Sequence, residues 1–205
     1  MTTELDIGRV NAADPAAFRA MVAPLFEGAP RFLDRLAAAR PFADWASMFT
    51  AARVIASAMP EVEQIELIDA HPRLGAPPAT VSEMSFREQG YDRNAAGETR
   101  ADAGQASADA DPARPGATGA VTPPAEPPEI ERDRVAAELE RLNVAYETRF
   151  GFRYCVRVAG RPRAALLPDM EASLGGDPVQ ERHRALDAVV DIAMDRLGAM
   201  LGPNR

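Results

Sequence analysis

Only one stretch of this chain, Phe152 to Val158, reads as a β-strand, and a lone strand has no partner with which to build a sheet. Every other ordered stretch repeats its apolar residues at helical spacing. Asp14-Pro15 opens the first clear pattern, a capping residue followed by a proline suited to the first helical position. Phe18, Met21, Val22, Leu25 and Phe26 then share a face before Gly28 ends it. Pro30 begins a second pattern with Phe32, Leu33 and Leu36, closing near Pro41. Asp44 begins a third, with Trp45, Met48, Phe49, Ala52, Ile55 and Met59, which Pro60 stops. Glu61 to Ala70 makes the fourth, with Val62, Ile65 and Ile68 expected inward. Glu129 to Phe150 is a long amphipathic helix, with Val135, Leu139, Leu142, Ala145 and Tyr146 on its face and Gly151 as its stop. A short helix follows around Ala164 to Leu174. Asp177-Pro178 then caps a last one carrying Leu186, Val189, Val190, Ala193, Leu197, Met200 and Leu201. The expectation is all-α: a single helical bundle domain with one short extended segment.

Between about 91 and 128 the composition shifts to Ala, Asp, Gly, Pro, Ser and Thr, with Val121 the one branched aliphatic residue. Such a stretch cannot bury enough surface to offset its ordering entropy, so it reads as a flexible insertion within one domain. With 46% apolar residues, the rest of the 205-residue chain has material for a sizeable core.

The charge balance and the scarce ligand residues exclude several functions. A formal charge of −8 argues against a nucleic-acid partner or an acidic membrane. Cys155 is the only cysteine, so neither an intramolecular disulfide nor a Cys-built zinc site is available. His71 and His183 are the only histidines, which leaves little for a His-based metal centre, and no metal is expected. The first residues lack a basic, then apolar signal pattern, and no run approaches membrane-spanning length, so a cytoplasmic site is the expectation. No P-loop, Gly-x-Ser-x-Gly or Gly-x-Gly-x-x-Gly is present, which weakens nucleotide and acyl-transfer readings.

The stretch with chemical promise is Ile68-Asp69-Ala70-His71-Pro72-Arg73-Leu74-Gly75, followed by Ser85-Phe86-Arg87-Glu88-Gln89. Proline disfavours the α region for the residue before it, so His71 is placed where the fourth helix breaks. There the helix dipole favours a protonated imidazole, and Glu88 is a plausible carboxylate partner for it. A plainer account competes: Ser85-x-x-Glu88 fits a capping box, in which both side chains satisfy backbone N–H groups at a helix start. His183, between Arg182 and Arg184, reads as a solvated surface histidine. Arg149, Arg153, Arg157, Arg161 and Arg163 crowd the region after the long helix and form either a solvated rim or a bidentate carboxylate site. Cys155 reads as a buried small hydrophobe.

His71-Pro72-x-Leu74-Gly75, Ser85-x-x-Glu88-Gln89 and Leu142-Asn143-x-Ala145-Tyr146-x-x-Arg149-Phe150-Gly151-Phe152 together resemble the decarboxylase of 2-oxo-4-hydroxy-4-carboxy-5-ureidoimidazoline (OHCU). The closing pattern from Asp177 through Glu181 and Ala193 to Arg196-Leu197 is similar too, so the resemblance covers nearly the whole chain outside the insertion. It implies an all-α homodimer that converts OHCU to (S)-allantoin and CO₂ in urate breakdown, with no metal or organic cofactor. It also implies that His71 and Glu88 are catalytic. Pro72, Ser85, Phe86, Arg87, Gln89, Tyr154, Cys155, Val156, Arg157 and Val158 would contact the substrate, Arg157 as the charged contact. Arg153-Tyr154 and Arg73 depart from the family's usual residues, which bears on pocket shape more than on fold. Two alternatives stand beside this reading. One is a family relative acting on another small ureido or imidazolone acid; the other is a non-catalytic helical binding module using the insertion as a partner arm.

Overall fold

The computed structural model describes residues 5–90 and 129–202. The expected insertion at 91–128 lies outside the described residues. Nine α-helices occur among the described residues: α1 (Ile7–Ala12), α2 (Pro15–Val22), α3 (Pro30–Ala38), α4 (Trp45–Ala58), α5 (Glu61–Asp69), α6 (Glu83–Glu88), α7 (Glu129–Phe150), α8 (Leu167–Ser173) and α9 (Pro178–Leu201). No strand occurs among them, and their buried side chains form one core cluster. The long helix α9 is central to it, packing on α4, on α5 and on the 3-10 turn Ala23–Phe26. Its stripe of Ala185, Leu186, Val189, Val190, Ala193 and Leu197 is buried along the helix, as the spacing anticipates.

Local chemistry accounts for most element ends. The Asp14 carboxylate accepts from the Ala16 and Ala17 N–H groups, and Asp44 forms a reciprocal capping box with Ser47. Pro24 has no N–H to continue α2, so the chain tightens into the 3-10 turn after Val22. Glu27 (φ 51) and Gly28 (φ 80) then reverse the chain in the left-handed region.

Four details differ from the sequence expectation. Helix α1 was not anticipated; it is a short turn started by Asp6, whose carboxylate accepts from Gly8 N–H at 3.1 Å. Val62 faces solvent at 64% exposure, and the inward face of α5 is Gln64, Leu67 and Ile68. Gln64 takes the interior because its amide donates to the otherwise unpartnered carbonyls of Ala56 (3.1 Å) and Ser57 (2.9 Å) at the end of α4. Arg182 in turn donates to the Gln64 side-chain oxygen Oε1 at 2.8 Å. Met200 is exposed, because the last turn of α9 extends past the core it packs on.

The segment 152–158 is extended without a strand partner, and side chains satisfy its backbone instead. Arg153 N–H donates to Asp69 Oδ1 (2.8 Å), and Arg184 donates to the Cys155 carbonyl (3.0 Å). Arg161 donates to the Arg157 carbonyl at 2.8 Å. Under this segment Tyr146 stacks edgewise or tilted against Phe150, Phe152 and Tyr154, with ring centroids 4.6, 5.7 and 5.1 Å away. Each such pair adds about 0.5–1.5 kcal/mol beyond burial, and two of them tie the segment to the long helix.

Candidate active site

Four pieces of chain meet around one cavity: the loop after α5, helix α6, the extended segment and the C-terminal half of α9. The loop is held from several sides. Gly75 sits at φ +80, and a Cβ there would come 3.2 Å from Leu139 Cδ1 of α7, so only glycine fits without a shift. Gln89 brackets the same turn, accepting from Gly75 N–H at 2.8 Å and donating to the Arg73 carbonyl at 3.3 Å. Asn143 of α7 donates to the Leu74 carbonyl at 3.0 Å, and Arg73 reaches Glu147 (2.6 Å) and Glu140 (3.1 Å) on the same helix. Arg153 closes the far side by donating to the carbonyls of Asp69 (2.7 Å) and His71 (3.0 Å).

His71 emerges from this clamp 5% exposed, with neither ring nitrogen in a hydrogen bond. The Leu67 carbonyl, one turn back, is its nearby acceptor. The helix-end argument predicts an imidazolium; the structure reverses it. Burial first, and then the Arg196 charge, push His71 down to about 4, with Glu27 offsetting only part of this. A helix C-terminus contributes ~0.3–2 kcal/mol to a cation. Removing an imidazolium from water outweighs that, since full burial can move a pKa by ~3–5 units. His71 is therefore neutral at pH 7.

Helix α6 also departs from expectation. Its cap is Ser82, whose hydroxyl accepts from Ser85 N–H at 3.1 Å, so Ser85 and Glu88 do not form a capping box. Starting the helix three residues earlier frees both side chains for tertiary contacts. Ser85 Oγ donates to Glu27 Oε1 at 2.7 Å, and Glu88 binds Arg196 through both oxygens, at 2.6 and 2.7 Å. No hydrogen bond or ion pair joins Glu88 to His71; the charges felt at the imidazole are those of Arg196 and Glu27.

Arg196 is the hub. Its side chain is 1% exposed and also meets Glu27 (2.8 Å), Ser85 Oγ (3.0 Å) and the Pro24 carbonyl (3.1 Å). Burial pushes its pKa down, but Glu88 and Glu27 outweigh that and hold it above the usual arginine range. Burial likewise pushes Glu27 up, while hydrogen bonds from Ser85 and Ser82 and the Arg196 charge bring it below the ordinary carboxylate range.

The cavity measures about 180 Å³ and is walled by His71, Pro72, Leu74, Ser85, Arg87, Glu88, Gln89, the run Tyr154 to Gly160, Ile192 and Asp195. It falls below the ~300–1,000 Å³ of drug-sized pockets, so it suits a compact metabolite. Of the expected site residues, only Phe86 is absent from the wall; one position on from Ser85, it points about 100° away around α6. Gln89 is committed to the loop. Cys155 is buried, and desolvation pushes its thiol up to about 12, so it lines the site as an inert neutral group. Of the five arginines singled out in the sequence, only Arg157 reaches the cavity. There it forms a two-bond ion pair with Asp195, at 2.5 and 2.7 Å, on a half-exposed rim. Arg149 and Arg153 bind carbonyls, and Arg161 binds Asp169 and the turn, so these three brace the fold. His183 is exposed, as expected.

Arg196, named only within the closing family pattern, and Glu27 were not among the expected site residues. For Arg196 a signal existed: it stands three residues after Ala193 and one before Leu197, inside the buried stripe of α9 where a charge requires a partner. For Glu27 none did, because its place depends on a left-handed turn and on a helix fifty-five residues away.

A family model described as OHCU decarboxylase matches residues 11–109 and 126–198. A 2-oxo-4-hydroxy-4-carboxy-5-ureidoimidazoline decarboxylase from Amia calva is 36% identical over 62 residues, which is 30% of this chain. That match spans only 35% of the relative's length. Among solved structures, an (S)-allantoin synthase superposes with a TM-score of 0.60 at 15% identity, over 97% of this chain and 54% of that one. An OHCU decarboxylase determined in the presence of (S)-allantoin gives 0.55 at 17% identity, over 92% of this chain and 99% of that one. At these identities the two structures show a shared fold.

Proposed function

Because the chain belongs to the OHCU decarboxylase family, we propose that it decarboxylates 2-oxo-4-hydroxy-4-carboxy-5-ureidoimidazoline to (S)-allantoin and CO₂. One observation carries the reading. The family motif residues His71, Ser85 and Glu88 lie far apart in sequence from the segment 154–158, yet all of them line a single small cavity.

The chemistry suits these walls. The bond from the ring carbon to the carboxylate breaks, and its electron pair passes into the conjugated ring, so the substrate supplies its own electron sink and no cofactor is called for. The ring nitrogen that receives the pair takes a proton from solvent, one ring carbon takes another on one face, and the hydroxyl left on the neighbouring carbon ketonises by losing its own. A neutral His71 is fitted to this sequence. It can accept the hydroxyl proton first and return it to carbon, which an imidazole protonated at the start could not do. Glu88 acts through Arg196, holding the buried cluster charged and in place. Arg157, on the rim, is the cation nearest to an incoming carboxylate. Backbone groups of the extended segment offer donors and acceptors for ureido and ring amides. A homodimer belongs to the same reading and rests on the family resemblance alone.

The test is circular dichroism of OHCU generated in place from urate. Rapid growth of the (S)-allantoin signal, lost with His71→Gln, is the expected result. Slow decay to racemic product in the presence of folded protein would refute the assignment and direct attention to other small ureido acids.

A further inference from the structure

Two carboxylates face one guanidinium behind the cavity wall, which the cluster reaches through Ser85 and Glu88, and the count of hydrogen bonds shows that no guanidinium donor is left over. Arg196 Nε donates to Glu88, Nη1 to the carbonyls of Pro24 and Leu25, and Nη2 to Ser85, Glu88 and Glu27. An arginine has five N–H donors, and here all of them have acceptors inside the protein. Arg196 is therefore not available to grip a substrate carboxylate. Glu27 adds an ion pair to this already filled set. Its Oε1 collects Ser82 Oγ and Ser85 Oγ at 2.7 Å each and Arg196 at 2.8 Å, while its side chain is only 12% exposed. Strained left-handed backbone at Glu27 (φ 51) aims it there, from a turn that does not itself line the cavity.

We propose that Glu27 is a positioning residue of this site: it tethers Ser85, pairs with Arg196 and gives the buried cluster a net negative charge, so that Arg196 leaves the substrate carboxylate unneutralised while His71 can take up a proton. The inference rests on the decarboxylase reading and deepens it. A cluster of two carboxylates and one guanidinium repels a bound carboxylate and is indifferent to CO₂, which favours loss of CO₂. Within the cluster it is the Glu27 charge that favours the imidazolium forming on His71 in mid-reaction, against the opposing charge of Arg196. The other charged and titratable groups around His71 do not supply this negative charge. On the cavity wall Arg157 is cancelled by Asp195, and Arg87 is paired outward with Glu83 on its own helix. Tyr154 and Cys155 are buried and shifted up, hence neutral, and Asp69, at the end of α5, is engaged by Arg153.

Glu27→Gln tests this, since glutamine keeps an acceptor oxygen of the same reach and loses the charge. The expected result is a kcat lower by roughly tenfold or more with an unchanged or lower KM, because the anionic substrate is now repelled less. Histidine NMR gives a readout that needs no turnover, with only two histidines in the chain and His183 exposed. The His71 midpoint should fall by roughly half a pH unit or more in the variant. In the wild-type protein, the Glu27 carboxyl carbon should remain ionised through the His71 transition, a measurement that does not depend on the variant folding. An unmoved His71 midpoint with wild-type kcat, or Glu27 protonating before His71, would overturn the proposal. Absence of OHCU turnover by the wild-type protein would sink the decarboxylase reading instead, and the two failures are thereby told apart.

Discussion

The depressed pKa of His71 makes the protein's stability depend on pH in a direction that can be worked out and measured. The folded state holds the imidazole neutral down to about pH 4, whereas an unfolded chain protonates it near 6.5. Between those values the unfolded state binds the extra proton, so stability is undiminished above about 6.5 and falls as the pH falls toward 4. At 1.36 kcal/mol per pH unit, the full loss is about 3 kcal/mol. Between pH 7 and pH 5 the His71 contribution is about 2 kcal/mol, a sizeable share of a typical stability of ~5–15 kcal/mol. Urea unfolding of the wild type and of His71→Gln, at half-unit steps from pH 7.5 to 5, isolates the effect. The carboxylates that also titrate are common to both proteins and cancel in the difference curve. Wild type minus variant should decline by about 2 kcal/mol toward pH 5. A flat difference would show that His71 is solvated in the folded state. A difference rising toward acid would restore the imidazolium that the helix-end argument favours, and the shuttle role argued from neutrality would fail with it.

Three further outcomes follow from the same geometry. Gly75→Ala forces a side chain into φ +80 and to 3.2 Å from Leu139, and should cost about 1–2 kcal/mol; a wild-type melting temperature would show that the turn relaxes freely. Glu88→Gln should abolish most turnover but cost only about 1–3 kcal/mol by urea unfolding. That is less than the ~3–5 kcal/mol of a fully broken buried pair, since Arg196 keeps Glu27; normal activity would remove Glu88 from the mechanism. Arg157→Ala breaks a half-exposed pair, so stability should change by less than about 1 kcal/mol. KM for the anionic substrate should rise by roughly tenfold with little change in kcat, and an unaltered KM would show that the carboxylate is received elsewhere.

Much of the fold was legible because its information is local. Helical spacing, Asp-Pro starts and glycine stops are set by residues within a turn or two of each other, so α2 to α5, α7 and α9 could be drawn from the chain alone. The absence of a second strand-like segment settled the fold class. Motif order placed His71, Ser85, Glu88 and the segment from Tyr154 in one site, and the cavity brings them together. What the sequence could not decide is how competing partners share the buried polar groups. Ser85-x-x-Glu88 satisfies the capping rule as written, but Ser82 takes the cap and leaves both side chains to bind across the molecule. Val62 and Gln64 exchange their expected faces because α4 ends with carbonyls that only an amide can satisfy. The charge state of His71 is likewise tertiary. Sequence supplies the helix end and its dipole, whereas burial and the Arg196 charge are assembled from α9, α6 and a left-handed turn distant in the chain. Desolvation in a low-dielectric interior exceeds the dipole's contribution, and that depends on every neighbour at once.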